Sequence, residues 1–283
     1  MAGVDLHVHT TASDGRYSPE DIVHKANDLE LSFLGICDHD TVDGIAPALA
    51  AARTIPTLRL IPGVEISTDV PHGEVHILGY FIDHTDPELL ATLKRLRYSR
   101  ERRALGMITK LKGLGVYIEW ERVQAIAGSG ALGRPHIAQA MLEKGYISSP
   151  REAFLKYIGR DGPAYVEREK LTPVESVELV LKSSGLPVLA HPSTMGELEP
   201  LLGKLIHAGL VGIEAYYGGY TPTQIEGLAS LARRFNLIAT GGSDYHGIDD
   251  STETMMGNID VPLESAHELI ALARRRGLKL AQM

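Results

Sequence analysis

The first residues that could carry chemistry are two histidines separated by one valine, His7 and His9, at the end of the first apolar run. Because successive side chains on a β-strand point to opposite faces, a His-x-His pair presents both imidazoles on one side. Such a pair can chelate a metal ion, but alone it is a weak signal and is also typical of a polar strand end. Its meaning depends on which other side chains the fold brings beside it.

Imidazoles and carboxylates recur at or near the ends of the later apolar runs. The set comprises Asp38, His39, Asp40, Glu65, His76, His191, Glu214, Asp244 and His246. Taken singly, each has a structural alternative, such as a helix cap, a core histidine or a solvated turn. If the runs are strands of one α/β barrel, their C-terminal ends meet at one mouth. Buried imidazoles and carboxylates are costly unless they are paired or bind metal, and this thiolate-free donor set suits Zn, Mn or Fe. The pattern therefore favours a hydrolytic site with several metal ions.

The elements that must position these residues follow from an alternation of short apolar runs and amphipathic segments. The runs predict strands over residues 4–8, 34–37, 58–66, 75–81, 187–190, 211–215 and 237–240. The segments between them predict helices over residues 19–31, 43–53, 173–183, 197–208 and 222–235. Ser18 before Pro19, and Thr172 before Pro173, are typical helix starts. Strands separated by helices indicate parallel βα units.

Residues from about 85 to about 170 break this alternation. The region is strongly charged and predicts helices over residues 89–114, 135–144 and 150–158. We therefore predict a metal-binding barrel formed by residues 1–84 and 171–283. The helical insertion, residues 85–170, is predicted to contribute to the substrate pocket.

The composition restricts the class of protein. The 283 residues carry a formal net charge of −8, which argues against a protein that coats duplex DNA but allows a cationic pocket for a small phosphorylated substrate. Cys37 is the single cysteine, so no internal disulfide framework is possible. We find no signal-peptide pattern and no apolar run of membrane length, and so expect a cytoplasmic protein without a membrane partner. The sequence does not indicate an oligomeric state.

Six segments together resemble the motifs of the polymerase and histidinol phosphatase (PHP) family, in the family's order. They are DLHVHTTASDG, GICDHDTVDG, IPGVEIS, VHILGY, LAHPS and GGSDYHG, spread over residues 5–247. The resemblance implies an α/β fold, a distorted (β/α)7 TIM-like barrel with a helical insertion. It also implies a centre of three divalent metal ions, Mn, Zn or Fe.

The resemblance further implies which residues hold each ion. The first ion would take His7, His9, Glu65 and Asp244; the second Glu65, His76 and His191; the third Asp14, His39 and His246. Some members of the family carry histidine where this chain has Asp14. With an aspartate at this position, the chain is similar to the family's branch of small phosphoesterases. Asp38, Asp40 and Glu214 are expected to accept hydrogen bonds from ligand imidazoles.

The insertion is similar to that of members which act on nucleoside 3′,5′-bisphosphates or on the 5′ ends of short RNA. We therefore expect a nucleotide or short oligonucleotide as substrate. Arg134 and His136 begin a predicted helix whose N-terminus favours anions. Arg100 and Arg103 share a helix face and could reach phosphate, although a solvated charged helix is the alternative. Arg16, beside the first metal loop, is a further candidate.

These features predict metal-assisted hydrolysis of a phosphate ester, with attack on phosphorus by a hydroxide that bridges two ions. The candidate catalytic residues are Glu65, His191, Asp244 and His246, and the proton donor to the leaving oxygen is not fixed. Exonuclease action is a neighbouring activity. Hydrolysis of histidinol phosphate, and a metal-stabilised binding module without turnover, are the open alternatives.

Overall fold

The structure is a computed structural model that describes residues 3–70, 73–128, 130, 132–192, 198–248 and 253–280. The chain forms two compact units. One contains Met1–Ala91 and Lys170–Met283, and we call it the barrel unit. The other contains Thr92–Glu169, and we call it the helical unit.

The strands described in the barrel unit form one seven-stranded sheet in sequence order. They are β1 (Gly3–Val8), β2 (Leu31–Ile36), β3 (Arg59–Val70), β4 (Gly73–Tyr80), β5 (Leu186–Leu189), β6 (Gly212–Tyr217) and β7 (Ile238–Gly242). The two ends of the sheet also meet. The amide of His9 donates to the carbonyl of Tyr245 at 3.0 Å, and the amide of Asp244 donates to the carbonyl of His7 at 2.8 Å. The sheet is therefore a nearly closed barrel, which confirms the predicted fold class.

One strand, β4, departs from the predicted parallel arrangement. It runs antiparallel to both β3 and β5, whereas the other neighbouring strands pair in parallel. The prediction of parallel units is wrong here because only Pro71 and His72 separate β3 from β4. A parallel crossover needs about a dozen residues or more, so this link permits only a hairpin. The reversed direction pairs His76, early in β4, with Ser67, late in β3.

Several of the helices begin at a proline. They are α1 (Pro19–Asp28), α2 (Ile45–Ala52), α3 (Pro87–Gly113), α4 (Trp120–Ala127), α5 (Arg134–Glu143), α6 (Pro150–Ala153), α7 (Pro173–Lys182), α8 (Leu198–Ala208), α9 (Pro222–Arg234) and α10 (Leu263–Arg275). Ser18 caps α1 and Thr172 caps α7 through their side chains, which confirms both predicted starts. The prediction lacks α4 and α10, and it extends α1 too far because Leu31 is the first residue of β2. In the described part of the chain, no helix is both long and apolar enough to cross a membrane.

Apolar side chains hold the strands of the barrel unit against its helices. One buried cluster joins Leu6 of β1 and Ile61 of β3 to Leu269 of α10. Another joins Val8, the last residue of β1, to Ile22 of α1. Full burial of such a side chain contributes roughly 1.5–3 kcal/mol. This packing fixes the strand whose end carries the His-x-His pair.

The helical unit has an apolar core of its own. Met107 of α3, Val123 of α4 and Met141 of α5 are among its buried members. The predicted helix over residues 150–158 is shorter than expected, because after α6 the chain forms a π-helical turn, Phe154–Ile158. The amide of Gly159 donates to the carbonyl of Phe154 at 3.0 Å and closes that turn.

Candidate metal centre

Glu65 of β3 is fully buried and lies at the centre of the candidate site. Its Oε1 atom lies 2.7 Å from Nδ1 of His76 and 3.0 Å from Nε2 of His191. Its Oε2 atom faces a different set of nitrogens: Nδ1 of His39 at 2.9 Å, Nε2 of His9 at 3.3 Å and Nε2 of His7 at 3.4 Å. Each oxygen of one carboxylate therefore faces a separate group of imidazoles.

Glu65 does not end its strand as predicted, because β3 continues to Val70 as one arm of the hairpin with β4. The regular pairing between β2 and β3 does stop earlier, at Pro62. Beyond it, only a single bridge joins Glu65 to His39. The residue thus lies where the parallel part of the sheet finishes, although the strand itself goes on.

His7 of β1 and His9, one residue past its end, point to the same side, as their spacing predicts. Their Nε2 atoms are 3.2 Å apart. The Oδ1 atom of Asp244 lies 2.9 Å from Nε2 of His9 and 3.4 Å from Nε2 of His7. Together with Glu65 these residues form a group whose donor atoms all lie within 4.8 Å of one another.

A second group surrounds Asp14, in the loop after β1. The Oδ1 atom of Asp14 lies 3.4 Å from Nε2 of His246, and its Oδ2 atom lies 4.0 Å from Nε2 of His39. His9 belongs to this group as well, since its Nδ1 atom is 3.8 Å from Oδ1 of Asp14. The ring of His9 therefore lies between two groups and presents one nitrogen to each.

The donor set of these groups fits divalent cations. The Oε2 atom of Glu65 and the Oδ1 atoms of Asp244 and Asp14 are buried and have no aligned hydrogen-bond donor among the described residues. An unsatisfied buried polar atom costs about 1–3 kcal/mol. Ligand atoms about 2.1 Å from one tetrahedral ion lie about 3.4 Å apart. The donor distances in the group of His7 and His9, from 2.9 to 3.4 Å, match that spacing.

The carboxylates of the site are held in their charged form. Burial raises the pKa of Glu65, but the imidazoles of His39 and His76 together with others outweigh it, and the pKa lies well below its usual value. Burial also raises the pKa of Asp244, and here His7 contributes most to bringing it well below the usual value. A buried negative charge of this kind requires positive partners.

Protonated imidazoles supply the positive charge when no cation is present. Burial lowers the pKa of His246, but the carboxylates of Asp14 and Asp244 outweigh burial and raise it to about 10. Burial lowers the pKa of His7 too, yet Asp244 and Glu214 raise it well above its usual value. The metal-free site therefore binds protons on nitrogens that a metal ion could use.

Asp38, just after β2, holds the loop that carries His9 and Asp14. Its Oδ1 atom accepts hydrogen bonds from the amide of Thr10 at 2.7 Å and from the hydroxyl of Ser13 at 2.6 Å. Its Oδ2 atom accepts from the hydroxyl of Thr10 at 2.7 Å. These loop donors take the place of the predicted imidazole donor, so Asp38 positions the loop as a whole.

Glu214 of β6 makes the contact predicted for it. Its Oε1 atom lies 3.1 Å from Nδ1 of His7, and its Oε2 atom accepts from the amide of His191 at 2.8 Å. A carboxylate on the far nitrogen of an imidazole fixes its tautomer and orientation. The other predicted acceptor, Asp40, accepts from the amide of Ser67 at 2.9 Å.

Tyr217 is a site residue that the sequence did not reveal. Its hydroxyl donates to Oδ2 of Asp244 at 2.8 Å. Strict alternation along β6 would place Tyr216, and not Tyr217, on the same face as Glu214. The pairing of β6 with β7 is irregular between Glu214 and Tyr216, and such a bulge shifts the alternation by one residue.

Glu253 is a second residue that the sequence did not reveal. Its carboxylate accepts hydrogen bonds from the amides of His246, of Gly247 at 3.0 Å and of Ile248 at 2.9 Å. Since Glu253 lies outside any helix or strand, no periodicity could have marked it. The contacts fix the turn that carries the His246 imidazole.

Three residues at the site have a left-handed backbone. The φ angles are 51° at Asp40, 26° at His191 and 55° at Asp244. A residue other than glycine in this region costs about 1–3 kcal/mol. The three residues lie where the chain turns sharply after a strand. The surrounding structure must stabilise these turns, which orient the side chains of the site.

Comparison with known proteins gives the family. Residues 5–158 of this chain match the sequence pattern of the family described as PHP domain. The chain belongs to the PHP family. It is 37% identical over 248 residues to the 5′-3′ exoribonuclease Rnm of Escherichia coli (strain K12), covering 86% of this chain and 84% of that protein. It is 31% identical over 269 residues to the 3′,5′-nucleoside bisphosphate phosphatase of Chromobacterium violaceum, covering 93% of both.

A solved structure supports the same conclusion. A protein of Bifidobacterium adolescentis that is assigned as a metal-dependent phosphoesterase has a TM-score of 0.87 and 30% identity, covering 100% of this chain and 99% of its own. This PHP protein is accordingly a metal-dependent hydrolase of phosphoester bonds.

The predicted substrate residues lie in both units of the PHP protein. Arg16, in the barrel unit, is exposed, and its amide donates to the carbonyl of His246 at 2.7 Å. Arg100 and Arg103, in α3 of the helical unit, are only 7% and 5% exposed, so the alternative of a solvated helix face is wrong for these two.

The other two predicted substrate residues begin α5. The guanidinium of Arg134 lies 5.4 Å from the centre of the Phe154 ring. The Nδ1 atom of His136 accepts a hydrogen bond from the amide of Gly133 at 3.0 Å, which caps the helix. Contact of any of these arginines, or of His136, with substrate stays a prediction.

Proposed function

We propose that this PHP protein hydrolyses phosphate esters of nucleotide-type substrates at a centre of three divalent ions. The observation that carries the proposal is the buried carboxylate of Glu65, whose two oxygens face separate groups of imidazoles. A carboxylate placed in this way suits a ligand shared by two neighbouring ions, the arrangement that hydrolytic two-metal sites use.

The proposed ligands are those that the family resemblance implies. They are His7, His9, Glu65 and Asp244 for the first ion, Glu65, His76 and His191 for the second, and Asp14, His39 and His246 for the third. Two residues have neighbours beyond these sets, since His9 also belongs to the Asp14 group and His39 also lies beside Glu65 and His76. Imidazole and carboxylate ligands without thiolate support Mn, Zn or Fe as the ions.

Bound divalent ions would acidify a water molecule and neutralise charge on the phosphoryl oxygens. The residues of the chain would hold and orient the ligands. Tyr217 holds Asp244 by its Oδ2 atom, which leaves Oδ1 directed at the histidines. Glu214 holds the ring of His7 from its outer nitrogen. We propose Glu65, His191, Asp244 and His246 as the residues that contact the reacting groups.

The relatives support a nucleotide substrate. One relative is named a 3′,5′-nucleoside bisphosphate phosphatase, and another is named a 5′-3′ exoribonuclease. We propose release of the 3′-phosphate from a nucleoside 3′,5′-bisphosphate as the main reaction, because that relative is matched over 93% of both chains. Hydrolysis at the 5′ ends of short RNA is the second candidate, supported by the higher identity to the exoribonuclease.

A substrate screen with Mn-loaded protein tests the proposal. We expect kcat/KM for a nucleoside 3′,5′-bisphosphate, or for short 5′-labelled RNA, to exceed that for histidinol phosphate at least about tenfold. A preference for histidinol phosphate would support the alternative activity. If no phosphoester in the screen were hydrolysed, the proposal would be refuted.

Loading the metal-free protein with Mn near neutral pH should release protons. The carboxylates of Asp14 and Asp244 raise the pKa of His246 to about 10, so this imidazole carries a proton that must leave before it can bind a metal. Metal affinity should therefore rise with pH up to that value. Calorimetry in two buffers with different ionisation enthalpies measures the protons released, and His246→Ala should release about one fewer. An unchanged number would exclude His246 as a ligand.

Replacing Arg134 with alanine should weaken substrate use while metals are retained. A guanidinium that contacts phosphate contributes roughly 1.5–3 kcal/mol, so kcat/KM should fall at least about tenfold. Arg151→Ala, an exposed arginine of the same unit, is the matched control. Metal content by elemental analysis completes the test, because a loss of metal in Arg134→Ala would show that the residue supports the centre instead.

A further inference from the structure

A shallow groove in the helical unit lies outside the residues used so far. One wall is a face of α3 that carries Arg95, Tyr98 and Arg102. These residues follow one another at steps of three and four, so their side chains share one side of the helix. The opposite wall is the segment from Val166 to Glu169.

Specific contacts hold the two walls of this groove together. The amide of Glu169 donates to the hydroxyl of Ser99 at 2.7 Å. The Nε atom of Arg95 lies 3.2 Å from a carboxylate oxygen of Glu169. The groove is thus a fixed feature of the helical unit.

The charge of the groove is opposite to that of the whole chain. Four arginines line it, Arg95, Arg102, Arg103 and Arg168, against two glutamates, Glu167 and Glu169. The complete chain carries a formal net charge of −8. Arg103 and Arg168 are nearly buried, so Arg95 and Arg102 present the positive charge of the groove to solvent, where it attracts anions.

Tyr98 adds an aromatic surface to this cationic groove. Its side chain is 62% exposed, which is high for a large hydrophobic residue, and it lies between the two exposed arginines of the helix face. The volume of the groove, about 240 Å³, is below the roughly 300–1,000 Å³ of pockets that enclose a ligand. The groove therefore suits a chain that passes across it.

We propose that this groove binds the strand of a single-stranded RNA, an inference that rests on the proposed function at the metal centre. Arg102 contacts a backbone phosphate, and Tyr98 stacks on a neighbouring base. Proteins that bind single strands combine a cationic groove with exposed aromatic rings in this way. Duplex RNA is bound across about 16 base pairs, which a groove of this size does not offer.

Binding of a labelled single strand to the metal-loaded full chain tests this assignment. The probe is a 2′-O-methyl phosphorothioate RNA of about ten nucleotides, which resists hydrolysis, and the readout is fluorescence anisotropy. We expect Tyr98→Ala to weaken binding about tenfold and Tyr98→Phe to retain it, because phenylalanine keeps the stacking face. Tyr117→Ala, which removes another exposed tyrosine of the helical unit, is the control and should bind as the unchanged protein does.

A second pair of variants tests the phosphate contacts. Arg102→Glu and Lys112→Glu make the same change of charge on the same helix, but only Arg102 lies in the groove. Arg102→Glu should weaken binding about tenfold more than Lys112→Glu. It should also reduce the slope of log Kd against log salt concentration by at least about 0.7, the value for one phosphate contact on a single strand.

The groove assignment is overturned if Tyr98→Ala binds as well as Tyr117→Ala, or if Arg102→Glu and Lys112→Glu behave alike. It is also overturned if an acidic peptide displaces the RNA at equal charge and equal concentration, since charge alone would then explain binding. Because the probe is not hydrolysed, these results do not depend on turnover. Failure of the proposed function would instead appear as absent hydrolysis of nucleotides by a protein that still binds the probe.

Discussion

Replacing Glu65 with glutamine will remove bound metal and lower kcat/KM for phosphoesters at least about a hundredfold. Glutamine keeps the shape of the side chain but removes the charge that both groups of imidazoles face. In the metal-free protein, the protonated imidazoles would lose their buried counter-charge. The free energy of unfolding should then fall by about 3–5 kcal/mol. Elemental analysis, hydrolysis assays and denaturant unfolding measure the three effects.

Glu88→Gln is the matched control for this substitution. The side chain of Glu88 is 62% exposed and pairs with Lys182 at 3.2 Å on the surface of the barrel unit. Its loss should change the free energy of unfolding by no more than about 0.5 kcal/mol and leave metal content and activity intact. If Glu65→Gln kept its full metal content, Glu65 could not be the ligand shared by two ions.

Replacing Asp38 with alanine will lower metal affinity about a hundredfold, although Asp38 is not among the proposed ligands. Alanine removes the acceptor of three hydrogen bonds from Thr10 and Ser13. The loop that carries His9 and Asp14 would then lose its fixed position. Competition with a chelator measures the affinity, and Asp38→Asn, which retains one carbonyl acceptor, should lie between alanine and the unchanged protein.

The control for Asp38 is Asp28→Ala, which removes an exposed carboxylate at the end of α1. It should leave metal affinity unchanged, because no site residue depends on it. Equal metal affinity in Asp38→Ala and Asp28→Ala would mean that the loop keeps its conformation without Asp38.

Two features followed from the residue pattern itself, the shared face of the His-x-His pair and the convergence of polar strand ends, whereas the barrel type and the ligand sets came from the resemblance to the PHP family. Side chains alternate along a strand, so His7 and His9 had to share a face, and parallel strands present their ends together. The same logic brought His39, His191 and Asp244 to one mouth. Each of these three residues lies just after the C-terminal end of its strand.

The features that the sequence did not predict lie where the structure departs from regular side-chain alternation and parallel strand pairing. The direction of β4 depends on a two-residue link, which is a matter of chain length and not of residue type. Tyr217 faces the site because of an irregularity in β6, which hydrophobic pattern does not mark. Glu253 acts from a segment without periodicity. The two nitrogens of His9 serve different groups, which only coordinates could reveal.

The hydrogen bonds that close the barrel involve the site residues themselves. His7, His9 and Asp244 take part in the backbone bonds between β1 and the end of β7. Nearby, Asp5 accepts from Ser243, a residue 238 positions away along the chain. A cation held by both strands would therefore act as a cross-link that closes a loop almost as long as the whole protein, and the entropy of the unfolded chain makes such a closure strongly stabilising. Metal binding would then complete the candidate site and at the same time stabilise the closure of the barrel that these backbone bonds already make.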